Sequence, residues 1–298
     1  MENSHRNQGS HTHRQAGIST LPALSCAGFF LFFLACCLLF LLSSPVRAQQ
    51  TCQHIKAGYS YYPPFSYQTA DGREAGASVE VTKRAFAYMN VDIELIQMPW
   101  ARLLQEAKDG HVDLITAAYR TEERQSWASY SNIPIGYERI VAIHAQTFNK
   151  AHITLNDLRR KRGLIRRGDS HGQMVDTAIA KQQLDVFEVP EIDDGLRMVS
   201  AGRADYFLTS DAVARNMLKQ STFPELVFDR LEVDGEALYT LFSRKSVCHH
   251  LLARFNETVR ALYRHDLMPN ALVQYLRSVG SPIVLGMDNK TTPSMLGN

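Results

Sequence analysis

The sequence predicts an α/β protein of two lobes, each a parallel-rich sheet flanked by helices, joined by two hinge crossings. Three observations carry that prediction. Strands and helices alternate from residue 54 to about 131, the alternation restarts near 139, and the last helices have no sheet of their own to cover. Alternating β-α order favours a mostly parallel sheet with helices on its faces.

The elements follow in order. "HIKAGYS" is a short strand, and "SVEVTKRAFAYM" carries Val79, Phe86 and Met89 at helical spacing. "VDIELIQM" is the next strand. "PWARLLQEAKDG" opens on proline and closes on Gly110, which is the punctuation of a helix. "HVDLITAA" is a strand and "TEERQSW" a short helix. The second series begins with the extended "ERIVAIHA" and the strand "GLIRR", then the helix "SHGQMVDTAIAKQQ" and the strand "LDVFEV". The helix "EIDDGLRMVSAG" has acids in its first turn and Gly202 after its end. "ADYFLTS" is a strand, "DAVARNMLK" a helix, "ALYTLFSR" an extended segment and "HHLLARFNETVRALYRH" a long helix.

The closing helices are expected to return to the first unit. That gives lobe 1 as residues 49–140 and 240–280, and lobe 2 as 141–239, with crossings near 139–143 and 237–242. Residues 281–298 form a loose tail with few apolar anchors. A cleft between lobes is a natural ligand site, and paired crossings make a natural hinge.

The composition is neutral and globular: 298 residues, 45% hydrophobic, 21% charged, with a formal net charge of +2. That suits real cores and argues against nucleic acid as a partner. The one dense basic cluster, Arg159 to Arg162, reads as a solvated turn. The first 48 residues stand apart: Arg6 and Arg14 precede the apolar run "AGFFLFFLACCLLFLL", and "SSPVRA" then supplies small residues at Val46 and Ala48. This pattern is that of a secretory signal peptide cut after Ala48, so the mature chain is expected to be exported to an oxidising compartment. The apolar stretch is also long enough to span a membrane, so an uncleaved anchor stays open. Cys26, Cys36 and Cys37 leave with the leader. Cys52 and Cys248 remain as an isolated pair in an oxidising compartment and are expected to form a disulfide. Cys248 is followed by two histidines, but without further ligands at suitable spacing no metal is expected, nor any cofactor.

"YYPPFSY", "DGREAGASVEV" and "MPWARLLQEAKDGHVDLITAAYRTEERQSWASYS" together resemble the amino-acid type of periplasmic solute-binding protein of ABC transporters, family 3. "DLRRKRGLIRRGDS" and "SAGRADYFLTSDAVARNML" extend the resemblance through the second lobe, so it runs from about residue 54 to 280. It implies the two-lobed periplasmic binding protein-like fold of type II, a monomer that takes an amino acid or related small carboxylate, and a membrane permease or sensor as partner.

The resemblance also implies roles for particular residues. Thr121, Glu122, Glu123 and Arg124 match a Thr-x-Glu-Arg sequence whose arginine grips a ligand carboxylate, a task suited to a planar, permanently charged fork. Ser170 matches a hydroxyl residue at a helix start, where free N–H groups attract anions. Asp211 matches the acid for the ligand's ammonium; it also begins a helix, where it reads as an ordinary N-cap. Tyr62 and Trp100 match the aromatic pair enclosing the ligand's side chain, with Phe65 beside them. Ala117 and Tyr119 lie where backbone contacts to the ligand occur. Tyr119 departs from the pattern, since many members have Ser or Thr there, and its ring would narrow the pocket. Arg120 stays ambiguous between cleft and surface.

Three competing readings stay open. The same fold serves periplasmic enzymes resembling cyclohexadienyl dehydratase, for which Glu122, Glu123 or Asp169 would supply the acid or base. It also serves sensory receptors. "GDSHG", residues 168–172, matches the Gly-x-Ser-x-Gly of a serine hydrolase, with Ser170 as nucleophile, Asp205 or Asp211 as acid and His249 or His265 as base.

Overall fold

The computed structural model describes residues 52–146, 148, 152–220 and 222–264. The leader, the leader cysteines, His265 and the tail at 281–298 lie outside the described residues. Lobe 1 comprises β1 (His54–Tyr59), the small hairpin β2 (Tyr67–Gln68) and β3 (Glu74–Ala75), α1 (Ala77–Tyr88), β4 (Asp92–Gln97), α2 (Trp100–Asp109), β5 (Leu114–Tyr119), α3 (Glu122–Gln125), β6 (Ala128–Tyr130) and β7 (Gly136–Glu138). Lobe 2 comprises β8 (Ile140–His144), β9 (His152–Ile153), α4 (Leu155–Leu158), β10 (Arg162–Arg166), α5 (Gln173–Ala180), β11 (Asp185–Val189), α6 (Ile192–Ser200), β12 (Tyr206–Ser210), α7 (Asp211–Gln220) and β13 (Val227–Leu231). The chain then returns to lobe 1 as β14 (Glu236–Ser243) and α8 (Leu251–Arg264).

The two sheets are the two-lobed α/β architecture expected. In lobe 1 the order is β4-β1-β5-β14-β6, with β7 also paired to β14. β1 is parallel to β4 (Ala57 opposite Leu95) and to β5 (Ala57 opposite Leu114). β14 runs antiparallel to β5, placing Leu238 opposite Tyr119. In lobe 2 the order is β11-β10-β12-β8-β13-β9, with β10 parallel to β11 and β12 and with β8 antiparallel to β12 and β13. The first crossing is the single residue Arg139, between β7 and β8. The second falls at 232–235, not at 237–242 as the sequence reading had it, because β14 pairs with lobe 1 along its length.

Burial explains the element choices. α1 turns Val81, Ala85 and Phe86 onto the sheet, and α8 covers them from outside, with the Phe86 and Phe255 rings 5.5 Å apart. The returning helix thus completes the core of lobe 1. α2 begins after Pro99 and stops at Gly110, whose φ of +87° is a left-handed conformation that glycine reaches without a Cβ penalty. Ile192, Leu196 and Val199 of α6 form one buried stripe against Val141, Leu164 and Phe207 in lobe 2.

Cys52 and Cys248 form a disulfide across 196 residues, tying the start of β1 to the turn before α8. Among the described residues no helix is long and apolar enough to cross a membrane.

Candidate functional site

The carboxyl ends of β1 and β5 in lobe 1 face the turn after β10 in lobe 2. Between them lies a narrow, closed-down cavity of about 30 Å³, room for little more than water with the lobes in this position. Tyr62, Trp100, Ala117, Tyr119, Arg124, Arg166, Asp169, Ser170, His171 and Ser210 are among the residues that line it.

Arg124 is placed by a short local device. The Thr121 hydroxyl accepts from the Arg124 backbone N–H at 3.2 Å and caps α3, which turns the guanidinium back toward the strand end. Nη1 donates to Tyr119 O at 3.0 Å within lobe 1, and Nη2 donates to Gly168 O at 2.8 Å in lobe 2. The Trp100 ring lies 5.2 Å from the guanidinium carbon, and its Nε1 donates to the same Gly168 carbonyl at 3.0 Å. Gly168 presents that carbonyl from a φ of +79°, in a turn that glycine permits. Only 4% of Arg124 is exposed, and it has no carboxylate within ion-pair distance among the described residues. Burial pulls its pKa down from the usual value, opposed by Tyr130, Asp169, Glu123 and Asp176 nearby. Arg120, by contrast, is exposed and lies over the Tyr239 and Tyr130 rings at 4.5 and 5.3 Å, so it dresses the surface.

A second guanidinium faces Arg124 across the cleft. Arg166 is 2% exposed and pairs with Asp169 through Nη2 at 2.8 Å and Nε at 3.1 Å. Its neighbour Arg167 points outward to Glu188 at 3.5 Å. "GLIRR" reads as a poor buried strand because of these two charges, yet β10 buries one of them by pairing it three residues on.

Behind the lining sits Glu138, with no exposed surface. Its Oε2 accepts from the Tyr119 hydroxyl at 2.7 Å and the Tyr62 hydroxyl at 3.1 Å, while Oε1 is buried without a hydrogen-bond partner. Burial raises its pKa to about 7, and the hydroxyls of Ser210, Tyr119 and Tyr62 keep it from rising further. Tyr119 therefore uses its hydroxyl to hold this acid. His171 is also buried. Its Nε2 lies 3.1 Å from Leu208 O, which can only accept, so Nε2 carries the proton.

The remaining expected residues fall differently. Ser170 lines the cavity, but its hydroxyl donates to Asp176 Oδ2 at 2.5 Å, and Asp176 Oδ1 takes the His171 N–H at 2.8 Å. Asp176, in the first turn of α5, thus fixes the loop that leads into the helix. Phe65 is fully buried beneath Tyr62, with ring centres 6.1 Å apart, and does not line the cavity. Asp211 does not line it either. Its Oδ1 accepts from the Arg139 N–H at 3.5 Å and its Oδ2 lies 3.9 Å from Arg215, so it braces the first crossing. Ser210, one residue earlier, caps α7 by accepting from the Val213 N–H at 3.3 Å. The hydrolase constellation is not assembled: the Ser170 proton goes to Asp176, Asp205 pairs with Arg162, and His249 lies beyond β14 in lobe 1.

The family model of bacterial extracellular solute-binding proteins, family 3, matches residues 55–276. The chain belongs to that family. The L-cystine-binding protein TcyJ of Escherichia coli K12 is 25% identical over 188 residues, which cover 62% of this chain and 65% of TcyJ. The chain thus spans somewhat under two thirds of that relative's length. A mutant of the arginine-binding protein ArgBP from T. maritima superposes with a TM-score of 0.64 at 21% identity, covering 76% of this chain and 96% of that one. A histidine kinase sensor domain with similarity to periplasmic binding proteins superposes with a TM-score of 0.68 at 21% identity, covering 77% and 99%. At these identities the structural likeness establishes the type II periplasmic binding protein fold. Family members are binding proteins that act outside the cell.

Arg166, Asp169 in its paired role, Glu138 and His171 are the site residues that sequence reasoning missed. The spacing of Arg166 and Asp169, three apart across a turn, is the one signal that could have found that pair; Glu138 and His171 offered none.

Proposed function

We propose that this chain is a periplasmic receptor that captures an amino acid or related small carboxylate between its lobes and delivers it to an ABC permease, acting as a monomer and without chemistry of its own. The observation that carries this reading is Arg124, a buried guanidinium at the meeting of the two lobes with no carboxylate within ion-pair distance among the described residues. Leaving a charge buried and unpaired is costly, and a ligand carboxylate would relieve that cost while gaining charge-assisted hydrogen bonds of about 1.5–3 kcal/mol each. Three or four such bonds approach the roughly 8 kcal/mol of micromolar binding before ordering costs. The amino-acid ligand named for the cystine-binding relative supports the ligand class.

Ala117 and Tyr119 supply backbone at the mouth of β5, Ser170 and Ser210 face them from lobe 2, and Tyr62 and Trp100 give the cleft its aromatic wall. Asp211 and Phe65 act indirectly, through the crossing and through the packing of Tyr62. Binding without catalysis fits the state of the acids: Asp169 is held by Arg166, Glu138 is sealed behind two tyrosines, and Glu122 and Glu123 are exposed. Export follows from the leader ending at Ala48.

Thermal unfolding with a panel of amino acids and dicarboxylates tests the reading. A saturable rise in Tm with at least one carboxylate is expected, because a ligand that binds only the folded state stabilises it by mass action. A panel without any shift, together with turnover of an activated ester, would replace the receptor by an enzyme.

A further inference from the structure

The slot assigned to a ligand's side chain is already occupied. Tyr62 and Trp100 form its walls, and the Arg166 guanidinium carbon lies 5.2 Å from the Tyr62 ring centre and 5.4 Å from that of Trp100. Both rings belong to lobe 1, whereas Arg166 ends β10 in lobe 2. Its Nε and Nη2 hold Asp169 at 2.8–3.2 Å, and its Nη1 reaches Tyr61 O at 3.3 Å and Ser60 Oγ at 3.4 Å. The side chains of this pair are only 3% and 12% exposed. A guanidinium fixed by a carboxylate and faced by two aromatic rings has the surroundings expected of a bound cationic head group.

We propose that Arg166 is a built-in occupant of this slot, so that the cleft rejects ligands with cationic or bulky side chains and admits small acids whose remainder is neutral or anionic. The inference rests on the reading of Arg124 as the carboxylate anchor.

Two physical arguments support it. The first is space: the aromatic faces that would receive a ligand cation are already covered. The second is charge. The lining carries two guanidinium groups, Arg124 and Arg166, and its carboxylate, Asp169, is committed to Arg166. Glu138 stands behind the tyrosine hydroxyls and does not line the cavity. A cation carried on a ligand's side chain would meet Arg166 at the slot it would enter, in a desolvated space where like charges act strongly. Displacing Arg166 would break a buried ion pair and strand Asp169. Selectivity of this kind comes from a repulsive element as much as from attraction.

Calorimetry on the full-length chain with glycine, L-alanine, L-serine, succinate, L-lysine and L-arginine tests the proposal. The wild type is expected to bind at least one of the first four saturably, and lysine and arginine at least a hundredfold more weakly. Arg166→Ala empties the slot and frees Asp169, so its arginine affinity should rise at least tenfold over wild type. Adding Asp169→Asn removes the stranded carboxylate and should cancel that gain. If Arg166→Ala does not fold, the wild-type panel decides the matter. Wild-type binding of arginine within tenfold of the best small acid would overturn this inference and leave the receptor reading intact. So would an unchanged preference in a folded Arg166→Ala. Failure of every probe on every form would sink both.

Discussion

Glu138 is wholly buried one residue before the first crossing, and its pKa of about 7 makes it a titrating group near neutrality. Because that value lies above the 4.5 of an ordinary glutamate, the folded chain holds this proton more tightly than the unfolded one. The stability associated with the protonated acid is therefore full below about pH 4.5 and falls as pH rises toward 7, by about 3 kcal/mol if no other group compensates. Glu138→Gln keeps an acceptor for the two tyrosine hydroxyls and removes the titration. Urea unfolding between pH 5 and 8 should show a flatter stability profile for the variant; parallel profiles would mean that Glu138 is not the group responsible. The residue scale is also where the sequence was least legible. Arg124 stands out only because its Thr-x-Glu-Arg sequence resembles the family's; read locally, it dresses the outside of a helix. Arg166 and Arg167 are adjacent, and a strand of five residues gives too little alternation to tell which one turns inward. Glu138 carries no local pattern, since its partners Tyr62 and Tyr119 come from distant elements.

α5 shows how an element can fix the loop that leads into it. Asp176 in its first turn accepts from both the Ser170 hydroxyl and the His171 N–H, and its negative charge sits at the helix end that favours one. Asp176→Ala should cost about 1.5–3 kcal/mol of stability by urea denaturation, the range for hydrogen bonds to a charged group. It should also release the Ser170 hydroxyl toward the cleft. A stability change below a few tenths of a kcal/mol would show that these bonds contribute little. Longer elements were readable because their apolar spacing is physical: α1, α2, α6 and α8 each carry a buried stripe. β6 and β7 have three residues each, too few to show a period, and they exist because β14 pairs with them from 98 to 115 positions away. That is also why the second crossing was misplaced: the pairing partners of residues 236–239 fix their lobe, and those partners are remote in sequence.

At the scale of the molecule, polar contacts between the lobes gather at the cleft, beside the packing of Tyr61 and Tyr62 against lobe 2. Gly168 O receives both Arg124 and Trp100, and Arg166 reaches back to Tyr61 and Ser60. Opening about the crossings exchanges these bonds for water or for a ligand, which makes the arrangement suited to hinge closure. The disulfide stands apart from this motion, since both its cysteines belong to lobe 1. Cys52→Ser with Cys248→Ser should lower stability by about 2–5 kcal/mol, given the long loop it closes, while leaving ligand affinity within twofold. A matched loss of affinity, measured under conditions where the variant is folded, would tie the bridge to the cleft instead. The proposed receptor rests on Arg124 as its carboxylate anchor, so the most direct test is titration calorimetry of the tightest-binding small acid into wild type and Arg124→Ala. Affinity should fall at least tenfold, about 1.4 kcal/mol or more, with the variant still folded. Equal affinity in the two proteins would contradict the account.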